Sequence, residues 1–291
     1  MIHRRYLQLD VFADRPGAGN PLGVVVDAEG LPPATMQAIA AWTNLSETVF
    51  LMPATVAEAD YRVRIFTPRQ ELPFAGHPSV GAAWAVTGQR LAQVRNGALV
   101  QECAGGLLPV RIDPDGSVHV RAPRARRMPT DNDGLLEAAT VGLPPGELAP
   151  ALWNNGPGWW LVPLRDAAAV RAAVPCLPAI AALTQATGAV GLAVFGVSDE
   201  DGHDLVVRAF CPADNIPEDP VTGSANACIA AMLVDTDAWP GSEGQDDPRR
   251  YTASQGRELG RDGRVEVAVD GDGEVWIGGV VTPVIEGSLR W

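Results

Sequence analysis

Residues Tyr6 to Phe12 alternate in the manner of a half-buried strand, and Gly17-Ala18-Gly19-Asn20-Pro21 turns the chain into a β-branched second strand over Leu22 to Val26. Leu31-Pro32-Pro33 predicts the start of a helix over about residues 33–43, because a proline in the first turn gives up an N–H that the helix does not use. Thr48 to Met52 and Tyr61 to Phe66 read as further strands, and Gly76-His77-Pro78 introduces an Ala-rich helix over about residues 78–88. Val118-His119-Val120 closes this strand-rich half. From Ala172 to Ser198 no charged residue occurs, which raises the question of a membrane span. Pro175, Pro178, Gln185, Gly188 and Gly191 interrupt that run, so it predicts a buried helix over about residues 178–186, a Gly turn and a buried strand over about 190–197.

The second half repeats the first in outline. Val63-Arg64-Ile65-Phe66-Thr67-Pro68 leads to Gly76-His77-Pro78 and a helix of small residues, and Val207-Arg208-Ala209-Phe210-Cys211-Pro212 leads to Gly223-Ser224-Ala225 and another. Each block is strand, Pro-ended loop, Gly, helix. Phe66 to Gly76 is ten positions and Phe210 to Gly223 is thirteen, so the two are similar rather than tandem copies. A duplicated α+β domain is the expected architecture, with domains over residues 1–122 and 134–280. Residues 123–133, with Pro123, Pro129 and the cluster Arg124, Arg126 and Arg127, read as a solvated linker, and 281–291 as a last strand returning to the first domain.

Composition narrows the chemistry. The 291 residues are 46% hydrophobic and 20% charged, which excludes a wholly disordered chain. A net charge of -13 repels phosphate backbones and anionic bilayers, so neither nucleic acid nor a membrane is an expected partner. Every basic side chain is Arg or His; the absence of Lys removes Schiff-base chemistry, a pyridoxal anchor and a P-loop lysine. Cys103, Cys176, Cys211 and Cys228 lie far apart, without the spacing of a zinc site or redox pair, and read as reduced thiols of a cytoplasmic protein. Arg4, Arg5, Asp10 and Asp14 interrupt the N-terminal residues, so no signal peptide is expected.

A Gly at the start of a helix leaves backbone N–H groups exposed at the positive end of the helix dipole. Gly76 and Gly223 both stand at such starts, and a pseudo-twofold arrangement of the repeats would aim both at one cleft suited to a carboxylate. Near them lie His77, Glu218 and Asp219, with Glu47 in Asn44-Leu45-Ser46-Glu47-Thr48 just before an apolar strand. Taken singly, each has a plainer reading: the glycines as tight turns, Glu47 as a helix-terminal surface acid, His77 as a structural histidine and Asp219 as a turn acid before Pro220. His3, His119 and His203 lie in strand or turn settings and receive no role.

Taken together, the blocks are specific. Asp10-Val11-Phe12 with Gly19-Asn20-Pro21, Asn44-Leu45-Ser46-Glu47-Thr48, Arg64-Ile65-Phe66-Thr67-Pro68 with Glu71-Leu72-Pro73-Phe74-Ala75-Gly76-His77-Pro78, and Glu218-Asp219-Pro220-Val221-Thr222-Gly223-Ser224-Ala225 resemble the phenazine-biosynthesis PhzF-like isomerase family. Gln255-Gly256 and the strand from Arg264 to Val269 match its C-terminal part. The resemblance implies a diaminopimelate-epimerase-like fold: two pseudo-symmetric domains, each a central helix wrapped by a curved, mostly antiparallel sheet. It implies a homodimer and a cofactor-independent, metal-free proton shift on a small carboxylate such as trans-2,3-dihydro-3-hydroxyanthranilate. Carried over residue by residue, it implies Glu47 as general base, with His77 and Asp219 as catalytic partners and Ser224, Gly76 and Gly223 as substrate-binding positions. Partial burial is expected to tune Glu47 for that work, whereas Asp219 in its turn sits near donors that favour its ionised form.

Three rival readings remain at this level. Racemases and epimerases of the same fold use two thiols, one at each helix start, where this chain has Ala75 and Thr222; Cys228, one turn beyond Ser224, fits a buried position. Ser224, His77 and Asp219 contain the residue types of an acyl-transfer triad, but the chain lacks the G-x-S-x-G elbow, and a serine at a helix start is often a cap. A silent carboxylate-binding protein is the third. Specificity is expected from residues such as Trp42 or those from Asn154 to Trp160.

Overall fold

The computed structural model describes residues 3–200, 202–240 and 248–291. The chain divides into two units, the first running to Arg121 and resuming at Gly278, the second running from Ala122 to Ile277.

The alternation in the first strand, β1 (His3–Val11), buries Leu7, Leu9 and Val11, and β2 (Asn20–Val25) pairs with it antiparallel. Helix α1 (Pro33–Thr43) begins with proline at its first turn and buries Met36, Ile39 and Ala40 on one face. It carries the chain to β3 (Glu47–Met52), which runs parallel to β2 with Leu22 opposite Glu47. Strand β4 (Tyr61–Phe66) pairs antiparallel with β3, and the two-residue β5 (Glu71–Leu72) folds back on β4. Helix α2 (Gly76–Gly88) follows, then β6 (Ala98–Cys103), parallel to β4, and the antiparallel β7 (Gly106–Ile112) and β8 (Val118–Arg121). The last strand of the chain, Val281–Arg290, lies antiparallel on the other side of β1.

Helix α2 is enclosed along most of its length: it packs on β1, β2, β3, β4, β6 and β8, and ten of its residues, from Gly76 to Val86, are buried. Such enclosure demands small side chains. At Gly81 a Cβ would come within 2.4 Å of Leu22 Cδ2 and 3.0 Å of Val11 Cγ2, so the helix approaches the β1–β2 hairpin more closely than a larger residue permits.

The second unit opens with β9 (Arg126–Met128), α3 (Asp133–Thr140) and β10 (Ala151–Asn154). From β10 on, the path of the first unit recurs. Strand β11 (Gly158–Pro163) is antiparallel to β10; α4 (Ala167–Ala172) and α5 (Leu177–Thr187) cross to β12 (Gly191–Val197), which is parallel to β11. Strands β13 (Leu205–Cys211) and β14 (Ile216–Asp219) are successively antiparallel, α6 (Gly223–Asp235) follows, then β15 (Arg249–Gln255), parallel to β13, and β16 (Gly263–Val269), antiparallel to β15. Strand β17 (Val275–Gly279) leads back to the first unit. Helix α6, like α2, is buried along nearly its whole length by Ala225, Ala227, Cys228, Ile229, Ala230, Met232 and Leu233. The fold is α+β, and both units follow one topology.

The repeated Arg-x-Phe block makes the same carboxylate fork and ring contact in both units. Arg64 forks onto Glu71 at 2.6 and 2.7 Å with its guanidinium 5.2 Å over the Phe66 ring. Arg208 forks onto Glu218 at 2.8 and 2.9 Å with its guanidinium 5.1 Å over Phe210. Each pair ties a strand to the short strand that precedes the buried helix.

Two readings from sequence change. Residues 123–133 are not a free linker: their side chains are largely solvated, but the backbone of β9 pairs with β10 and makes this stretch part of the second unit. The apolar run near residue 180 does give a helix, a left-handed Gly188 and a strand, but α5 buries only the face of Ile180, Leu183 and Thr184. Among the described residues no helix is long and apolar enough to cross a membrane.

The two arginine forks differ in burial, with Arg208 and Glu218 side chains each 9% exposed against 19% and 34% for Arg64 and Glu71. Removing one partner of the more buried pair strands a charge in low dielectric. Arg208→Ala is therefore expected to cost about 3 kcal/mol and Arg64→Ala about 1 kcal/mol, compared in urea unfolding. Equal costs would refute the assignment.

Candidate active site

The local sequence explains how Glu47 reaches its place. Asn44 ends α1 in the left-handed conformation, φ 53°, with its N–H returned to the Ala40 carbonyl. The chain turns there, and three residues later Glu47 begins β3. Ser46 donates to Asn20 Oδ1 at 3.1 Å, fixing this turn to the start of β2, and Asn20 is fully buried. The Thr43 and Thr48 hydroxyls share a hydrogen bond at 3.0 Å on the other flank. Before Asn20, the Asp10 carboxylate accepts the Gly17 N–H and holds the loop between β1 and β2. The Asp-Val-Phe, Gly-Asn-Pro and Asn-Leu-Ser-Glu-Thr blocks are thus parts of one support beneath one carboxylate.

His77 is the second residue of α2, whose preceding residue, Ala75, is extended and offers no side-chain cap. The first helical hydrogen bond inward is from the Ser79 N–H to the Ala75 carbonyl. The Glu47 side chain, 16% exposed, brings Oε2 to 3.3 Å from His77 Nε2, and the imidazole is 7% exposed. Burial pushes the His77 imidazole down to about 3, so at neutral pH the ring is uncharged. A half-buried carboxyl beside a neutral ring nitrogen is an arrangement that can accept a proton and return it.

In the second unit, Gly223 and Ser224 open α6 after an extended Thr222. Ser224 Oγ accepts the indole N–H of Trp159 at 3.1 Å, and its carbonyl accepts Asn155 Nδ2 at 3.1 Å. Asp219 ends β14, and its Oδ2 accepts the Thr222 hydroxyl at 2.5 Å. The fully buried Gln255 closes this group by bonding the backbone N–H and hydroxyl of Thr222 and the carbonyl of Asp219.

The structure therefore brings Glu47 and His77 together in one unit and Asp219, Thr222, Gly223 and Ser224 together in the other. Sequence reasoning missed the supporting residues Asn20 and Ser46, although both lie in quoted motifs, and the Trp159 and Gln255 contacts, which only the strand pairing makes visible. Trp42 is 71% exposed and stacks edge-on against Trp291, whereas the segment from Asn154 to Trp160 does reach Ser224. Ala75 and Thr222 hold the positions just before the helices, and burial pushes the Cys228 thiol up, so neither helix start carries a reactive thiol. The hydroxyl of Ser224 meets an indole rather than an imidazole, which does not fit a nucleophile-base pair. Among the described residues no group of three His, Cys, Asp or Glu side chains is placed to hold a metal.

Comparison with known proteins agrees first on the class. The structure of a hydroxyproline epimerase from Agrobacterium vitis, 14% identical, shares the fold with a TM-score of 0.65 over 99% of this chain and 91% of that one. A phenazine biosynthesis protein of the PhzF family from Bacillus anthracis superposes with a TM-score of 0.84 at 25% identity over the whole of both chains. In sequence, the chain is 32% identical to antisense-enhancing sequence 1 of Schizosaccharomyces pombe over 99% of both. It is also 32% identical to the trans-2,3-dihydro-3-hydroxyanthranilate isomerase of Pseudomonas aeruginosa over 93% of this chain and 92% of that one. The profile of the phenazine biosynthesis-like protein family matches residues 9–287, and the chain belongs to that family. It is an isomerase, as relatives at 32 to 34% identity are named.

The neutral His77 ring has a consequence for stability. As pH falls below 6.5 the unfolded chain protonates this imidazole, while the folded chain resists until about 3. Folding stability should fall through that window, by up to about 1.4 kcal/mol per pH unit from this group. Urea unfolding of the wild type and His77→Gln across the window checks this: the variant should lose stability less steeply, and identical slopes would show that His77 is not the buried neutral group.

Proposed function

We propose that the protein is a cofactor-independent isomerase that moves a proton between two carbons of a small cyclic or amino carboxylate, with Glu47 as the general base. The observation that carries this reading is the approach of the Glu47 carboxyl to a buried, uncharged His77 imidazole, 3.3 Å apart at the start of a buried helix. A single carboxylate can take a proton from one carbon and return it to another on the same face, provided that no neighbouring charge fixes its state. His77 supplies that neutral neighbour. The N–H groups at Gly76 and Gly223 suit a substrate carboxylate, Ser224 donates from a hydroxyl whose oxygen is already occupied by Trp159, and Asp219 accepts from substrate polar groups. The P. aeruginosa relative acts on trans-2,3-dihydro-3-hydroxyanthranilate, and a compound of that chemistry is the first substrate to test. Function as a homodimer, as the family resemblance implies, and in the cytoplasm, in line with the reading of the four separated cysteines as reduced thiols, belongs to the same proposal.

Solvent deuterium incorporation into that substrate is the direct test. Glu47→Gln keeps shape and hydrogen bonding but removes the basic oxygen, so binding should persist while turnover falls by roughly two to four orders of magnitude. His77 and Asp219 substitutions should weaken binding and turnover together. If Glu47→Gln exchanges hydrogen as fast as the wild type, the base lies elsewhere.

Freedom from a metal is tested separately. Protein exhaustively treated with chelator is expected to retain its full rate, and loss of activity restored by one metal would refute a metal-free reaction.

A further inference from the structure

Gln255 ends β15 and is 1% exposed. Its amide orientation is dictated by two partners that each have only one hydrogen-bonding sense. The Thr222 backbone N–H, which can only donate, lies 3.0 Å from Oε1, and the Asp219 carbonyl, which can only accept, lies 3.1 Å from Nε2. The second hydrogen on Nε2 is then directed at Thr222 Oγ1, 2.9 Å away. A hydroxyl accepting there has one hydrogen of its own left to give, and Asp219 Oδ2 stands 2.5 Å off to take it.

We infer that Gln255 and Thr222 are positioning residues that deliver a hydrogen of fixed direction to Asp219 and so hold its carboxylate as an acceptor. The sense of the chain is set at its far end by backbone groups, which do not titrate, and the Thr222 hydroxyl, accepting from Gln255, is left to donate to a carboxylate 2.5 Å away. Asp219 is thereby kept from competing for the mobile proton. That consequence rests on the functional reading above, in which Asp219 binds and Glu47 exchanges; the hydrogen-bond chain itself lies wholly inside the second unit.

The charged groups packed around this strand are occupied with one another. Arg208 of β13 meets Glu218 of β14 at 2.8 Å and Glu258, just beyond β15, at 4.0 Å. Substituting Thr222 or Gln255 touches none of them, so a change at Asp219 reports on the hydroxyl.

The experiment is a carboxyl carbon-13 NMR titration of the full-length protein labelled at aspartate, with the Asp219 signal assigned by its loss in Asp219→Asn. Thr222→Val and Gln255→Met should raise the Asp219 midpoint by about one pH unit, roughly tenfold in proton affinity, whereas Thr222→Ser, which keeps the hydroxyl, should leave it within a few tenths. Circular dichroism confirms folding of each variant; should valine disrupt the helix start, the smaller Thr222→Ala carries the same expectation. Midpoints unchanged in the folded Val, Ala and Met variants would overturn the inference. Because the readout needs no substrate, that failure is distinct from failure of the proposed base, which would appear as deuterium exchange by Glu47→Gln at the wild-type rate.

Discussion

Each unit depends on the burial of a helix along most of its length. A helix enclosed on all sides satisfies its own interior hydrogen bonds but cannot satisfy the N–H groups of its first turn. Neither α2 nor α6 has a side-chain cap, because Ala75 offers nothing and Thr222 turns its hydroxyl to Asp219. The helix must be made largely of small residues, and the unpaired N–H groups are left at its first turn. That single constraint accounts for the Ala- and Gly-rich stretches after residues 76 and 223 and for the collection of Glu47, His77, Asp219 and Ser224 around those starts.

The two units share a scaffold but not its equipment. In the first, a left-handed Asn44 ends the crossover helix and Glu47 follows three residues later, opposite Leu22. In the second, a left-handed Gly188 ends the crossover helix and Gly191 follows three residues later, opposite Trp159. A Cβ at Gly191 would come within 2.5 Å of the Trp159 ring and 2.7 Å of the Phe210 carbonyl, so the space that holds a carboxylate in one unit holds an indole in the other. That indole donates to Ser224. The same backbone slot thus furnishes a proton acceptor in one unit and a hydrogen-bond donor in the other. The Arg64–Glu71 and Arg208–Glu218 forks, which hold the scaffold, are alike in both.

Much of this was legible in the sequence because the signals were local. Period-two alternation gave β1, proline at the first turn gave α1, and the paired Arg-x-Phe-x-Pro blocks gave the duplication. The ordered motifs also singled out Glu47 and His77, which the structure brings together in the first unit, and Asp219 and Ser224, which lie close together in the second. Contacts that depend on strand pairing across distant sequence were not legible: Gln255 lies 33 positions from Thr222, and Trp159 lies 65 from Ser224. The misread stretch at residues 123–133 has a related cause, since solvated arginines and prolines look like a linker while β9 is held through its backbone alone. The neutral state of His77 was equally hidden, because it follows from enclosure and not from neighbours in the chain.

Two acids of similar intrinsic strength stand beside different neighbours here. An imidazolium next to Glu47 would hold it as a carboxylate by charge and make proton return costly; burial keeps the His77 ring neutral and removes that hold. Asp219 has a different neighbour, the Thr222 hydroxyl, which donates to it while accepting from the amide of Gln255. In the proposed reaction the first is the acid that exchanges a proton and the second is held as an acceptor. Under that proposal the group that moves the proton must be mobile in charge and a group that orients substrate must not be. What carries that division is enclosure at one helix start and a hydrogen-bond chain at the other, without any difference in the chemistry of the acids themselves.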